Sequence, residues 1–158
     1  MSFDVFLLKF AKGDSCELSR DALLGVFKRH DFQQISNGYY DIRLADGSSV
    51  DLQALGLTSS TRFTLCTFFI RGGSDSIGHL IFESAQVTGG VLIPTMDQNP
   101  CIVVDVSQRT ELPSDFTQPV GECRSAEELT RLLRTGYQAW SRYRDQIVHA
   151  HERPNPAA

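Results

Sequence analysis

The stretch Tyr39-Tyr40-Asp41-Ile42-Arg43-Leu44, followed by Ala45-Asp46-Gly47-Ser48 and then Ser49-Val50-Asp51-Leu52, decides the fold class. Polar and apolar residues alternate on both sides of the Asp-Gly step. That pattern predicts a tight hairpin, because glycine accepts the positive φ that such a turn requires. An antiparallel pair follows, with one face toward a core and one in water.

Working outward, Arg62 to Ile70 is a second β-rich run, long enough to cross a sheet and closed by Arg71-Gly72-Gly73. Phe3 to Phe10 is dense in β-formers with little alternation, which predicts a strand inside the sheet with both faces covered. Val91-Leu92-Ile93 and Cys101-Ile102-Val103-Val104 are short strands separated by the loop Pro94 to Pro100, since proline cannot donate to a central ladder. The polar stretch Ser107 to Cys123 reads as a connection.

Three helices complete the inventory. Ser19 caps one whose Ala22, Leu23, Val26 and Phe27 share a face, ending near His30. Ser74 caps a second with Ile77, Leu80, Ile81, Ser84, Ala85 and Thr88 inward, stopped by Gly89-Gly90. Ser125-Ala126-Glu127-Glu128 is a capping box that opens a third, with Leu129, Leu132, Leu133, Tyr137, Trp140, Arg144 and Ile147 on one stripe. Trp140 is expected to anchor this helix against the sheet, the competing reading being an aromatic platform with Tyr137 and Tyr143. Strands and helices mix without β-α-β alternation. The expectation is an α+β domain over residues 1–150, with a mixed, largely antiparallel sheet and about three helices, and a flexible tail at 151–158.

Fifteen basic against nineteen acidic residues give a net charge of −4, the wrong sign for a protein that binds by neutralising phosphates, so nucleic-acid binding is not expected. Residues 1–123 carry 9 basic and 15 acidic groups, and 124–158 carry 6 and 4, an acidic body with a mildly basic last helix. The opening Met1 to Phe10 lacks the basic start and long apolar run of a signal peptide, and no stretch reaches the ~20 apolar residues of a spanning helix. Cys16, Cys66, Cys101 and Cys123 form no Cys-x-x-Cys pair and read as free thiols, which places the chain in the cytoplasm.

Chemistry-bearing patterns are few. Gly72-Gly73-Ser74-Asp75 joins a strand to a helix N-terminus, a place for an anion, but Asp75 sits where the anion would be and the lysine of a P-loop is missing. Asp75, His79 and Glu83 are spaced i, i+4, i+8 and line one helix face, which reads as a solvated row with i,i+4 pairing and not as an acid–base site. His149-Ala150-His151 offers only two ligands, and His30 ends its helix, so neither builds a metal centre. Cys66 or Cys101 meeting a histidine in space stays open as a nucleophile pair. No catalytic residue, metal site or cofactor is expected, and the partner-binding residues are not legible.

Three stretches carry a resemblance: Met1-Ser2-Phe3-Asp4-Val5-Phe6-Leu7; Gly78-His79-Leu80-Ile81-Phe82-Glu83 leading to Val91-Leu92-Ile93-Pro94; and Glu128-Leu129 through Gly136-Tyr137 to Trp140 and Tyr143-Arg144-Asp145. Together they resemble a loose group of small bacterial proteins, some of which are taken to be immunity proteins for interbacterial toxins. The resemblance implies a non-enzymatic cytoplasmic module that occupies the surface of a protein partner, a cognate toxin encoded nearby. No membrane partner is expected, and a homodimer stays open. The alternative is a small α+β enzyme or ligand-binding protein.

Overall fold

A computed structural model describes residues 3–59, 61–95 and 100–152, leaving out the side chains of 139, 140, 143, 144 and 147–152. The element order is β1 (Phe3–Ala11), β2 (Asp14–Cys16), α1 (Arg20–Phe27), β3 (Asp31–Ser36), β4 (Tyr39–Arg43), β5 (Ser49–Gln53), β6 (Cys66–Ile70), α2 (Asp75–Thr88), β7 (Val91–Pro94), β8 (Cys101–Val103), a 3₁₀ turn (Val106–Glu111), β9 (Val120–Glu122) and α3 (Ala126–Glu152). Among the described residues the strands form one sheet, ordered β3-β4-β5-β6-β1-β7-β8-β9, with β2 folded back on the end of β1. The described pairings are antiparallel except for β8 with β9. The α+β class with its largely antiparallel sheet is thus seen directly.

The hairpin is the one the Asp-Gly step predicts. Gly47 has φ +85, and Tyr40 pairs with Leu52 and Ile42 with Val50. Those four side chains are buried, as are Phe3, Val5 and Leu7 of β1 and Phe68 of β6. They share one face of the sheet, and the helices pack there in the order α1, α2, α3, with α2 touching both of the others. At ~25 cal/mol per Å² of apolar surface removed from water, this layer supplies most of what opposes chain entropy.

The turn is also tied to the helices. Asp46 Oδ1 accepts from Ser48 N at 2.9 Å, and Asp46 Oδ2 accepts from Ser74 Oγ at 2.6 Å. Ser74 is the N-cap of α2 and accepts from Ser76 N at 3.1 Å, so one hydroxyl joins hairpin and helix. The Ser48 and Ser74 side chains lower the Asp46 pKa below its ordinary 3.8. A carboxyl depressed by folding contributes stability above its unfolded pKa, and loses it as pH falls through the folded one. Asp46→Ala is therefore expected to melt below the parent at neutral pH. The gap between the two melting temperatures should close as pH drops below 3.8; a gap unchanged by acid would show that the carboxylate plays no such part.

Helices α2 and α3 approach closely at Gly78. A Cβ there would lie 2.0 Å from Thr130 Oγ1 and 3.1 Å from Thr130 Cα. Glycine to alanine inside a helix normally stabilises by ~1 kcal/mol. Here the sign should reverse, because the new methyl overpacks the α2–α3 contact: Gly78→Ala is expected to lose ~1–3 kcal/mol in urea unfolding. Stabilisation of the variant would contradict the packing. The capping box of α3 is present with a shift: Glu128 N donates to Ser125 Oγ at 3.2 Å, while Glu128 Oε2 accepts from Arg124 N at 2.8 Å, one residue before the cap.

Four expectations need correction. Asp31–Ser36 is a strand at the sheet edge, so the hairpin is part of a three-stranded meander. The run from Arg62 becomes a strand only at Cys66; before it, Phe63 is buried and its carbonyl accepts from Leu18 N at 2.9 Å. Val120–Glu122, read as connection, pairs with β8. Finally, β1 is central but covered fully on one face only: Phe3, Val5 and Leu7 are wholly buried, whereas Asp4, Phe6 and Leu8 remain half-buried. Helix α3 runs through His151 to Glu152, into the stretch read as tail. The side chains of Trp140, His149 and His151 lie outside the described residues.

Candidate functional site: the open face of the sheet

Because side chains alternate along a strand, the register assigns every residue to a face. The face away from the helices is covered at the β7–β8 side, where Val91, Cys101 and Val103 form a small second core with Phe10, Ile93, Leu112, Phe116 and Val120. Among the described residues that cover ends over β4, β5, β6 and the start of β1, although Thr67 of β6 is itself buried. The registers then place two rows side by side on the open face. One runs Gln33, Asp41, Asp51, Phe69, Asp4; the next runs Tyr39, Gln53, Thr67, Phe6, Ile93.

The two ends of this face differ in chemistry. Toward the hairpin turn it is charged: Arg43 Nε lies 3.1 Å from Asp41 Oδ2, and Arg71 reaches Asp51 Oδ2 at 2.8 Å. Toward the other end it is apolar. Ile35, Tyr39, Leu55 and Leu65 are 66%, 43%, 54% and 42% exposed, four of the six large apolar side chains that stand exposed among the described residues. Single exposed apolar residues are ordinary, whereas a contiguous group rimmed by polar residues marks a binding surface.

These residues wall two adjoining depressions. One, of about 440 Å³, is bounded by Ile35, Ser36, Tyr39, Asp51, Phe69 and Arg71. The other, of about 230 Å³, is bounded by Gln53, Leu55, Arg62, Thr64, Leu65 and Thr67. Between them Gln53 Nε2 donates to Tyr39 Oη at 3.0 Å, which fixes the Tyr39 ring as a ridge. Ile35 owes its place to a β-bulge in β3, where the register shifts between Gln34 and Ser36. Bulges recur at sheet edges and beside functional sites. Tyrosine, phenylalanine and arginine among aliphatic side chains is also the composition enriched in protein interfaces.

The residues singled out from the sequence do not converge on a reactive centre. Asp75, His79 and Glu83 do share a face of α2, but they turn away from one another to the neighbouring elements: Arg134 Nη2 of α3 reaches Asp75 Oδ1 at 2.6 Å, Glu127 Oε1 of α3 lies 3.5 Å from His79 Nε2, and Glu83 pairs with Arg29 just beyond α1. The row is a set of ties between α1, α2 and α3, where pairing along α2 itself was expected. Gly73 O accepts from Arg134 Nε at 2.8 Å, so the glycine turn before α2 is engaged by α3. All four cysteines are free thiols. Burial pushes Cys66 well above its ordinary pKa, and raises Cys101 to about 11 against the opposing pull of Arg109, so neither offers the thiolate that nucleophilic attack requires. His30 follows α1 as the turn residue whose N–H donates to Phe27 O at 3.0 Å. Among the described residues no group of three or more His, Cys, Asp and Glu is placed to hold a metal ion, and no helix is long and apolar enough to cross a membrane.

The sequence foretold a wet face for the hairpin but not the apolar cluster on it, because Ile35, Leu55 and Leu65 lie outside the alternating segments and no residue spells out the lack of a cover. No known family model matches the chain, and neither a characterised protein nor a solved structure shows significant similarity to it.

Proposed function

We propose that this chain is a protein-binding module that neutralises one bacterial toxin, encoded beside it, by docking over the toxin and occluding its active site in the cytoplasm. The observation that carries the reading is the cluster Ile35, Tyr39, Leu55 and Leu65, exposed together on a sheet face that the helices leave bare. Holding four large apolar side chains in water has no benefit for folding, and each is a ready anchor for a partner. Shallow depressions on a rigid sheet suit protrusions of a protein better than an enclosed small molecule. The free cysteines suit a reducing compartment.

A neutraliser of this kind needs no reactive residue of its own. It need only cover a patch of standard size, roughly 1,600 Å² in total, with good complementarity at the centre. The test is to co-express the tagged chain with each neighbouring gene's product and measure the mass of what co-purifies. A stoichiometric complex with one product supports the reading. Turnover of a small molecule by the isolated chain, with no neighbouring product retained, would refute it.

A further inference from the structure

Asp41 and Asp51 stand directly opposite one another on adjacent strands of the open face. Like charges in that position weaken a sheet, since paired Cβ atoms are only ~5 Å apart. The side chains are 20% and 34% exposed, and each is held by an arginine, Arg43 and Arg71, that is itself 72% and 74% exposed. Ion pairs so open to water add little to stability. The fold therefore carries a like-charge pair whose compensation is weak, at the place where the apolar cluster begins.

We infer that the open face takes a protein partner whose docking element presents apolar side chains to Tyr39, Leu55 and Leu65 and a lysine or arginine to the Asp41–Asp51 pair. The inference rests on the docking reading above and adds the chemistry of the partner. A cation seated between the two carboxylates relieves their repulsion, which among the described residues is met by Arg43 and Arg71, both largely exposed to water. Its attraction would be strengthened as the apolar contact excludes solvent. An acidic or neutral apolar surface would fit the same depressions, yet would leave the carboxylates facing each other with less water around them. Charge complementarity then selects the partner while the apolar cluster holds it.

The probes are two short synthetic amphipathic helices of identical pattern, one of leucine and lysine, the other of leucine and glutamate, titrated into isotopically labelled full chain and followed by amide chemical shifts. The leucine–lysine peptide is expected to move the amides of β4, β5 and β6, more tightly at low salt. In Asp41→Asn/Asp51→Asn its affinity should fall at least fivefold, while the melting temperature stays level or rises. A melting temperature that falls by several degrees would show that the two carboxylates are there for the fold. Equal binding of both peptides to β4–β6 would keep the apolar docking face and overturn the choice of a basic partner. Shifts confined to the helical layer, or none with either peptide, would overturn the inference. A neighbouring gene's product bound equally well by the parent and the double Asn variant would leave the neutraliser reading standing and remove this one.

Discussion

Replacing Ile35 and Leu65 together by aspartate is expected to abolish the proposed complex with a toxin while leaving the fold intact. Both side chains are exposed in the free chain, at 66% and 42%, so a charge there costs the folded state little, within about 0.5 kcal/mol. In the complex each would sit at the centre of the contact. A carboxylate there removes the apolar anchor and strips water from an unpaired charge, which at interface hot spots amounts to 2 kcal/mol or more per site. For the pair, the loss should exceed ~100-fold in affinity. Val87, 42% exposed on α2 in the helical layer, provides the control. Val87→Asp should bind like the parent, and loss of binding there would move the interface to the helices.

The largest expected change in stability is at Phe27. Its side chain is fully buried at the end of α1, where it meets Phe32 at a centroid distance of 5.6 Å and Phe68, edge-on, at 6.3 Å. It thereby joins α1, the edge strand β3 and the central strand β6. Phe27→Ala should lose ~3–5 kcal/mol, because the transfer free energy of the ring is lost and the rigid sheet beneath cannot collapse into the space. For a chain of 158 residues that corresponds to a melting temperature lower by on the order of 10 °C. Urea unfolding gives the free energy directly, and a shift below ~1 kcal/mol would mean that α1 is not held through this contact.

Elements whose local signal and tertiary role agree were legible in the sequence. The β4–β5 hairpin announced itself because Asp46-Gly47 sits between alternating segments, and α2 because Ser74, an amphipathic stripe and Gly89 bound it on both sides. The edge strand β3 was not. Asp31-Phe32-Gln33-Gln34-Ile35-Ser36 is bare on nearly every side chain, so it lacks the alternation a half-buried strand displays. The run before Cys66 misled for the opposite reason: Phe63 is apolar because it plugs the core from a loop.

The candidate site was hidden in the same way. Phe6 and Leu8 made β1 look covered on both faces, since a sequence cannot distinguish an apolar residue under a helix from one left half-buried on the other face. Nor does a tally of charge show that Asp41 faces Asp51, which only the register reveals. The alternation of β4 and β5 did foretell one wet face.

The most direct measurement of the central claim is growth. Each neighbouring gene's product is expressed in a host alone, with the parent chain, with Ile35→Asp/Leu65→Asp, and with Val87→Asp. One product should arrest growth by itself, and the parent and Val87→Asp should restore it while the open-face double variant does not. Arrest by none of the products, or rescue by the double variant as complete as by the parent, would contradict a neutraliser that works through the bare face of its sheet.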